Sequence, residues 1–324
     1  MAGVSLKTVT NVVHERPYVR QETRDRVLAA IAQLDYRPSL AGRQLQSGRS
    51  HIITLAVPRI DEPYLGGLAH ALIAAATPRG YTVLIDETGG HAEQEQQALS
   101  GYPGHGIDGV IYSPFGLDPV HLAGSRDVPL VLLGQYFPES TADYVAIDDV
   151  ASARDAVRHL VQTGRRTIAF AGAQPDRDGA VGERRLAGYR AELAAQGLAE
   201  PPGGVVEGRR FARHEGEAAV VQLLASTAGL DALVCTSDLM AIGALRALRE
   251  RQVRVPDDVA VLGWDDIVDG AYVSPSLTTV APDLPVLAAT TLDALIRRID
   301  GDRTPGRKHV IPHRLVIRES TGTR

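Results

Sequence analysis

Apolar positions follow two rhythms along this chain. In the first part they recur at helical spacing: Val9, Val12 and Val13 fall at i, i+3 and i+4 on a helix that runs from Leu6 to about His14, with Ser5 as its cap. Lys7, Asn11 and His14 share another face of it, with Thr8 and Thr10 flanking. After a turn through Arg16-Pro17-Tyr18, a second helix spans about Gln21 to Leu34, with Val27, Leu28, Ile31 and Leu34 as its apolar stripe. From Ile52 the rhythm changes to short apolar runs separated by helical patterns. The runs Ile52–Val57, Thr82–Ile85, Gly109–Tyr112 and Leu130–Leu133 read as strands, with helices Leu65–Ala76 and Ala92–Leu99 between them. The scheme then repeats. Helices Ala151–Thr163, Glu183–Gln196, Glu215–Ala225 and Leu239–Arg251 alternate with strands Thr167–Ala171, Ala232–Cys235 and Val259–Leu262, and a last strand falls at Leu315–Ile317. Strands this apolar, alternating with helices, belong to parallel sheets covered on both faces. The expected fold is α/β, in two lobes with a cleft between them.

The stretch Arg37 to Arg49 joins the two rhythms. Pro38 ends the preceding helix, Ser39 can cap a new one, and Gly48 can stop it. A helix of barely two turns is marginal alone in water, so this one needs something to hold it. Arg43 and Arg49 suggest an anionic holder, with Leu45 a large apolar side chain on the linker. Taken alone, the stretch reads rather as an ordinary connector whose Leu45 packs on a neighbouring domain, and it is the flanking segments that reverse that preference.

Composition sharpens this division. The chain has 324 residues and a formal charge of −5, long enough for two or three lobes. Residues 1–50 hold eight Lys/Arg against four acidic residues, a net of +4, which leaves −9 on the rest. A basic head on an acidic body is a nucleic-acid-binding footprint. The one cysteine, Cys235, admits no intrachain disulfide and reads as a core residue. With no export signal and no apolar run near the ~20 residues that cross a bilayer, a cytoplasmic protein with no membrane partner is expected.

Several stretches then speak together. Ala2-Gly3-Val4-Ser5-Leu6-Lys7-Thr8-Val9-Thr10-Asn11-Val12-Val13 resembles the turn and recognition helix of the lactose-repressor (LacI/GalR) family. Tyr18-Val19, Glu22-Thr23-Arg24-Asp25-Arg26-Val27, Leu34-Asp35-Tyr36-Arg37-Pro38, and the linker with Ala41, Leu45 and Gly48-Arg49 continue the match in register. The resemblance covers essentially the whole chain. It implies a small α-helical, helix-turn-helix-type head at residues 1–37, a hinge helix at 38–49, and a type I periplasmic-binding-protein-like core at 50–324. In that core the N-lobe takes about 50–147 and 281–310, and the C-lobe about 148–280 and 311–324, with crossings near Asp148, Val280 and Ile311. In the family a first helix precedes the Ala-Gly-Val-Ser turn, whereas here Met1 stands directly before it. The head is therefore expected to be truncated and its DNA binding weak, an expectation that restoring an upstream helix would test.

No catalytic pattern is present. Gly104-His105-Gly106-Ile107-Asp108-Gly109 matches G-x-G-x-x-G but precedes a strand instead of following one, so it reads as a turn. The ten histidines are scattered without useful pairing, and no cofactor or metal is expected. The remaining chemistry is binding. Ligands of open α/β sheets sit beyond the carboxyl ends of strands. There the chain places Gly263-Trp264-Asp265-Asp266, Ser237-Asp238 and Asp148-Asp149, with Arg185 near a helix start. A carboxylate that accepts hydroxyl hydrogens and an arginine that donates to oxygens suit a polyhydroxylated ligand. The expected effector residues are Tyr64, Phe115, Asp149, Arg185, Phe211, Ser237, Trp264 and Asp265, with Arg185 and Asp265 the strongest carry-overs from the family. Each alone reads as structural; it is their common placement that counts. Asp238 can instead cap the helix after it, Asp266 can be a solvated turn residue, and Trp264 a packed interface residue.

The resemblance implies a sequence-specific transcriptional regulator, a repressor, whose operator binding is controlled by a small effector, a sugar or sugar derivative. DNA contacts are expected from Ser5, Leu6, Lys7, Thr8, Thr10, Asn11, His14, Tyr18, Thr23, Arg43 and Leu45. The recognition helix would enter the major groove, and Leu45 would wedge a minor-groove step at the operator centre. With no heptad tail after the last strand, a symmetric homodimer on a near-palindromic operator is expected. The alternative is a cytoplasmic sugar-binding sensor that has lost DNA binding; an enzyme is not expected.

Overall fold

The computed structural model describes residues 2–13, 17–34, 48–115, 128–134, 141–175 and 180–322. The chain divides into two compact units, Met1–Ser50 and His51–Arg324.

In the first unit α1 (Leu6–Val13) packs against α2 (Gln21–Gln33). Ser5 caps α1 as its position suggests: its Oγ accepts the amide of Thr8 at 3.2 Å. Val12 and Val27 are the buried pair between the helices, while Leu28 and Leu34 are exposed. The expected four-residue stripe on α2 therefore shrinks to Val27 with Ile31 half-buried. One short opposing helix cannot cover a wider stripe. His14, Arg43, Leu45 and the proposed hinge helix lie outside the described residues.

The second unit carries two six-stranded sheets. The first has the order β11-β5-β4-β3-β1-β2. It is built from β1 (Ile52–Val57), β2 (Thr82–Glu87), β3 (Gly109–Tyr112), β4 (Leu130–Leu133), β5 (Asp143–Ile147) and β11 (Lys308–Ile311), all parallel. The second has the order β12-β10-β9-β8-β6-β7. Its strands are β6 (Ile168–Ala173), β7 (Val205–Glu207), β8 (Ala232–Cys235), β9 (Ala260–Trp264), β10 (Thr278–Pro282) and β12 (His313–Val316). Only β12 runs antiparallel, against β10. The helices of this unit are α3 (Pro63–Ala76), α4 (Ala92–Leu99), α5 (Asp149–Gln162), α6 (Val181–Ala195), α7 (Arg213–Ser226), α8 (Asp238–Glu250), α9 (Val268–Tyr272) and α10 (Leu284–Ile299).

The chain passes between the sheets three times: after β5 at Asp148, after β10 at Asp283, and after β11 at Pro312. One buried cluster runs through both sheets, from Ile53, Leu55 and Leu72 on one side to Phe170, Val234 and Leu262 on the other. The G-x-G-x-x-G stretch is a turn, with Gly104 and Gly106 at positive φ just before β3. Cys235 is buried in the core.

Some polar-looking segments are strands because distant side chains complete them. Asp143 opens β5 fully buried, and Arg298 of α10 donates to it at 2.7 Å while the Arg307 amide donates at 2.9 Å. Arg298 and the other neighbours hold the Asp143 carboxyl below its ordinary value against the opposing push of burial.

Candidate functional site

The strands of both sheets aim their carboxyl ends at one cleft of the second unit. It holds about 970 Å³ of atom-free space, part of it open to solvent, the scale of small-molecule sites at roughly 300–1,000 Å³. Ser113 beyond β3, Gly134 beyond β4, Ile147 of β5, Thr236 and Ser237 beyond β8, Trp264 and Asp265 at the end of β9, and Pro282 of β10 all line it.

Local capping sets the acidic side. Asp148 ends the crossing and caps α5, its Oδ1 accepting the amides of Val150 and Ala151 at 3.1 Å each. That fixes Asp149 in the first turn, only 2% exposed. Arg185, in the second turn of α6, donates from Nε to Asp149 Oδ1 at 3.0 Å and from Nη1 to the carbonyl of Thr236. Its guanidinium also lies 4.4 Å from the centre of the Trp264 ring, a cation–π contact. A buried arginine held by a carboxylate, a carbonyl and an indole face is pre-organised: binding a ligand costs it little further ordering.

Trp264 is 0% exposed, and its indole Nε1 has no hydrogen-bond partner among the described residues. A buried donor left unpaired costs on the order of 1–3 kcal/mol, so this one calls for an acceptor from the cleft. The next residues, Asp265 and Asp266, have φ of 109° and 55°, left-handed conformations that are uncommon for residues with a side chain. Several contacts hold this loop there. The Asp265 amide donates to Val280 O at 2.8 Å, Arg318 pairs with Asp266 at 2.6 Å, and the Ile267 amide donates to Asp238 Oδ2 at 2.9 Å. Backbone strain fixed in this way is typical of binding sites.

The Asp265 carboxylate makes no hydrogen bond or ion pair within the described residues. Burial raises it well above its ordinary value, and the carboxylates of Asp238, Glu62 and Asp149 add to that push while Arg185 opposes it. Phe211, itself at φ 55°, and Tyr64 contribute aromatic faces to the cleft. The Ser237 hydroxyl donates to Phe211 O at 2.8 Å and accepts the Met240 amide at 3.1 Å, so it caps α8 and ties the Phe211 loop to it.

Of the eight effector residues expected from the sequence, seven line this cleft: Tyr64, Asp149, Arg185, Phe211, Ser237, Trp264 and Asp265. Phe115 does not. Its amide donates to Glu95 Oε1 at 3.0 Å, and its ring packs over Gly90, where φ is 69° and a Cβ would meet Phe115 Cδ1. The helix after β8 is capped by Ser237, not by Asp238. Asp266 is not a solvated turn residue, because it pairs with Arg318 and Arg314. Glu62 and Thr236 also line the cleft and were missed. Glu62 carried a signal: it stands in the loop beyond β1, just before Pro63 starts α3.

Asp238 supports the loop from behind, accepting from Thr279 Oγ1 at 2.7 Å as well as from Ile267. Gly263 gives it room, since a Cβ there would overlap Asp238 Oδ1. Burial raises the Asp238 carboxyl from 3.8 to about 7, Asp266 adds to the rise, and Thr279, Ile267 and Arg318 oppose it. Between those values the folded chain keeps a proton that the unfolded chain has lost. The resulting stability is complete below the unfolded value and is lost as pH rises through about 7. Asp238→Asn is expected to flatten the dependence of Tm on pH between about 4 and about 7, although it sacrifices the Ile267 amide's acceptor. An unchanged slope in a thermal melt series would exclude this titration.

In the head unit, Lys7 and Tyr18 are exposed, and Thr8, Thr10, Asn11 and Thr23 are half-buried. Tyr18 Oη donates to Asn11 Oδ1 at 3.4 Å, so α1 and the turn before α2 present one polar surface. Leu6 is described through its backbone only.

Comparison with known proteins agrees with both units. A model described as bacterial regulatory proteins, lacI family, matches residues 1–39, and one for a periplasmic binding protein-like domain matches residues 157–321. The HTH-type transcriptional regulator CelR of Thermobifida fusca is 34% identical over 99% of this chain and 96% of its own length. A solved CelR–cellobiose complex is 31% identical, with a TM-score of 0.75 over 98% of this chain and 97% of that one. The lac repressor dimer bound to operator and the anti-inducer ONPF is 27% identical, with a TM-score of 0.86 over 99% and 97%. A basic two-helix head followed by two mostly parallel sheets around a cleft, together with a full-length relative at 34% identity, places this chain in the lacI family of bacterial regulatory proteins.

Proposed function

We propose that this regulator's grip on operator DNA is set by a carbohydrate bound between the two sheets. As a lacI-family member the chain is a DNA-binding transcriptional regulator, and its relatives are regulators and not enzymes. The observation that carries the sugar reading is the pairing of unsatisfied polar groups with aromatic faces at the strand ends. Among the described residues the Asp265 carboxylate and the Trp264 N–H lack partners, Arg185 is held rigid, and Tyr64 and Phe211 can cover the apolar faces of a sugar ring. Cellobiose in the CelR complex supports the same class of ligand.

In this reading Lys7, Thr8, Thr10 and Asn11 reach base edges in the major groove, while Ser5, Leu6, Tyr18 and Thr23 position the head on the backbone. Arg43 and Leu45 act in the minor groove at the operator centre. The effector shifts the balance of lobe arrangements and thereby the order of the hinge helix. Gel-shift titration on a near-palindromic operator, with and without a panel of sugars, tests it. Leu45→Ala is expected to lower operator affinity and leave sugar binding unchanged. A panel in which no sugar alters operator affinity would end the reading.

A homodimer is the assembly proposed. Edge strand β2 leaves Leu84 and Ile85 exposed, and α9 leaves Val268 exposed and Tyr272 85% exposed. Open apolar edges of this kind invite a covering partner. Light scattering at micromolar concentration is expected to give a dimer, and Ile85→Asp to weaken it and to lower operator affinity with it. A stable monomer or tetramer of the unmutated chain would contradict the proposal.

A further inference from the structure

The cleft holds four formal charges close to its surface: Glu62, Asp149, Asp265 and Arg185. They are not balanced. Arg185 is committed to Asp149 and to the Thr236 carbonyl. Arg184, whose Nε lies 3.6 Å from Asp149, gives its charge to the same carboxylate from outside the lining. The carboxylates of Glu62 and Asp265 are left without a hydrogen bond or ion pair among the described residues. Burial raises both. Asp265 also feels Glu62 as a like charge. The same wall carries the fully buried indole N–H of Trp264, which has no acceptor among the described residues. The lining thus asks for a ligand that brings positive charge to two carboxylates and an oxygen to one indole.

We propose that the effector is an amino sugar, whose ammonium group is received by Glu62 and Asp265 while a ring or hydroxyl oxygen accepts from Trp264 Nε1. This identification rests on the sugar reading above and narrows it. A neutral sugar offers hydroxyl hydrogens to both carboxylates but leaves their mutual repulsion in place. An ammonium removes that repulsion and makes charge-assisted hydrogen bonds, roughly twice as strong as neutral ones. A phosphorylated or acidic sugar adds a third uncompensated negative charge to a partly desolvated space, which is strongly unfavourable. Glu62 is therefore a residue that sets specificity: it stands before Pro63 at the start of α3, facing the cleft from the first sheet's side, while Asp265 faces it from the second.

The test uses the full chain and two readouts, calorimetry and the fluorescence of Trp264, the only tryptophan present. The probes are glucose and cellobiose, their amino counterparts glucosamine and the β-1,4 dimer of glucosamine, and glucose 6-phosphate. In at least one matched pair the amine is expected to bind about tenfold or more tightly than the parent sugar, with a change in Trp264 emission, and the phosphate to bind more weakly than either. Glu62→Gln is expected to narrow the amine-to-parent ratio by about tenfold. A neutral sugar that binds as tightly as its amine, or a ratio untouched by Glu62→Gln, overturns the amino-sugar proposal and leaves the sugar reading standing. Failure of every probe to bind, neutral and amino alike, overturns both.

Discussion

Arg185→Ala is expected to abolish effector binding and to destabilise the core by about 3–5 kcal/mol, the cost of leaving one half of a buried ion pair behind. Three contacts disappear together. Asp149 loses its closest cation and remains 2% exposed; the Thr236 carbonyl loses a donor, and the Trp264 ring loses the guanidinium stacked on it. Arg184 stays near Asp149 at 3.6 Å and limits the loss. Arg185→Lys keeps the charge but not the planar fork that serves carboxylate, carbonyl and indole at once, so an intermediate result is expected. Asp265→Asn provides the control for folding. It keeps the shape of the loop and removes an unpaired charge, so Tm should hold or rise while sugar affinity falls by about 10- to 150-fold, the range of a hydrogen bond to a charged group. Denaturant melts and calorimetry separate the two effects. Full effector affinity in both Arg185→Ala and Asp265→Asn would mean that the effector binds elsewhere.

Gly243→Val is expected to be almost as damaging without touching the cleft. Helices α7 and α8 cross so closely that a Cβ on Gly243 would overlap the carbonyl oxygen of Arg213, and one on Gly216 that of Met240. Each obstacle is backbone, so the helices must separate before either side chain fits. Overpacking of this kind costs about 1–3 kcal/mol or more. For a unit of this size that lowers Tm by roughly 2–5 °C. The same separation would carry Ser237, the cap of α8, away from the Phe211 carbonyl that it holds at 2.8 Å. Loss of stability with weakened sugar binding is therefore expected, and Gly243→Ala should show both to a smaller degree. A Val variant with unchanged Tm would show that the crossing can relax.

Where burial is symmetric, local pattern alone carried the fold. The strands Gly109–Tyr112, Leu130–Leu133 and Ala232–Cys235 and the helix Ala92–Leu99 have the bounds that their apolar rhythm predicts. A strand covered on both faces is one unbroken apolar run, and an amphipathic helix has one period. Some of the cleft residues were legible for a related reason. A parallel strand's carboxyl end is a fixed address, so Ser237, Trp264 and Asp265, close after Cys235 or Leu262, must border the cleft, whereas Tyr64, Arg185 and Phe211 were reached through the family resemblance.

The features that escaped depend on partners far along the chain. Strand β5 begins with Asp143 and looks like a loop until Arg298 neutralises it from a helix 155 positions away. Strand β10 contains Thr278 and Thr279, whose hydroxyls are satisfied by Arg318 O and Asp238. Phe115 comes after β3 as other cleft residues come after their strands, yet its ring turns to the space left by Gly90. Periodicity and propensity are properties of neighbouring residues, so the sequence by itself determined the class of fold, the polar head and the strand ends that frame the cleft. The state of each buried charge is a property of the groups that folding brings beside it. Only the tertiary structure could decide that Arg185 is already taken and that, among the described residues, Asp265 and Glu62 are still unpaired.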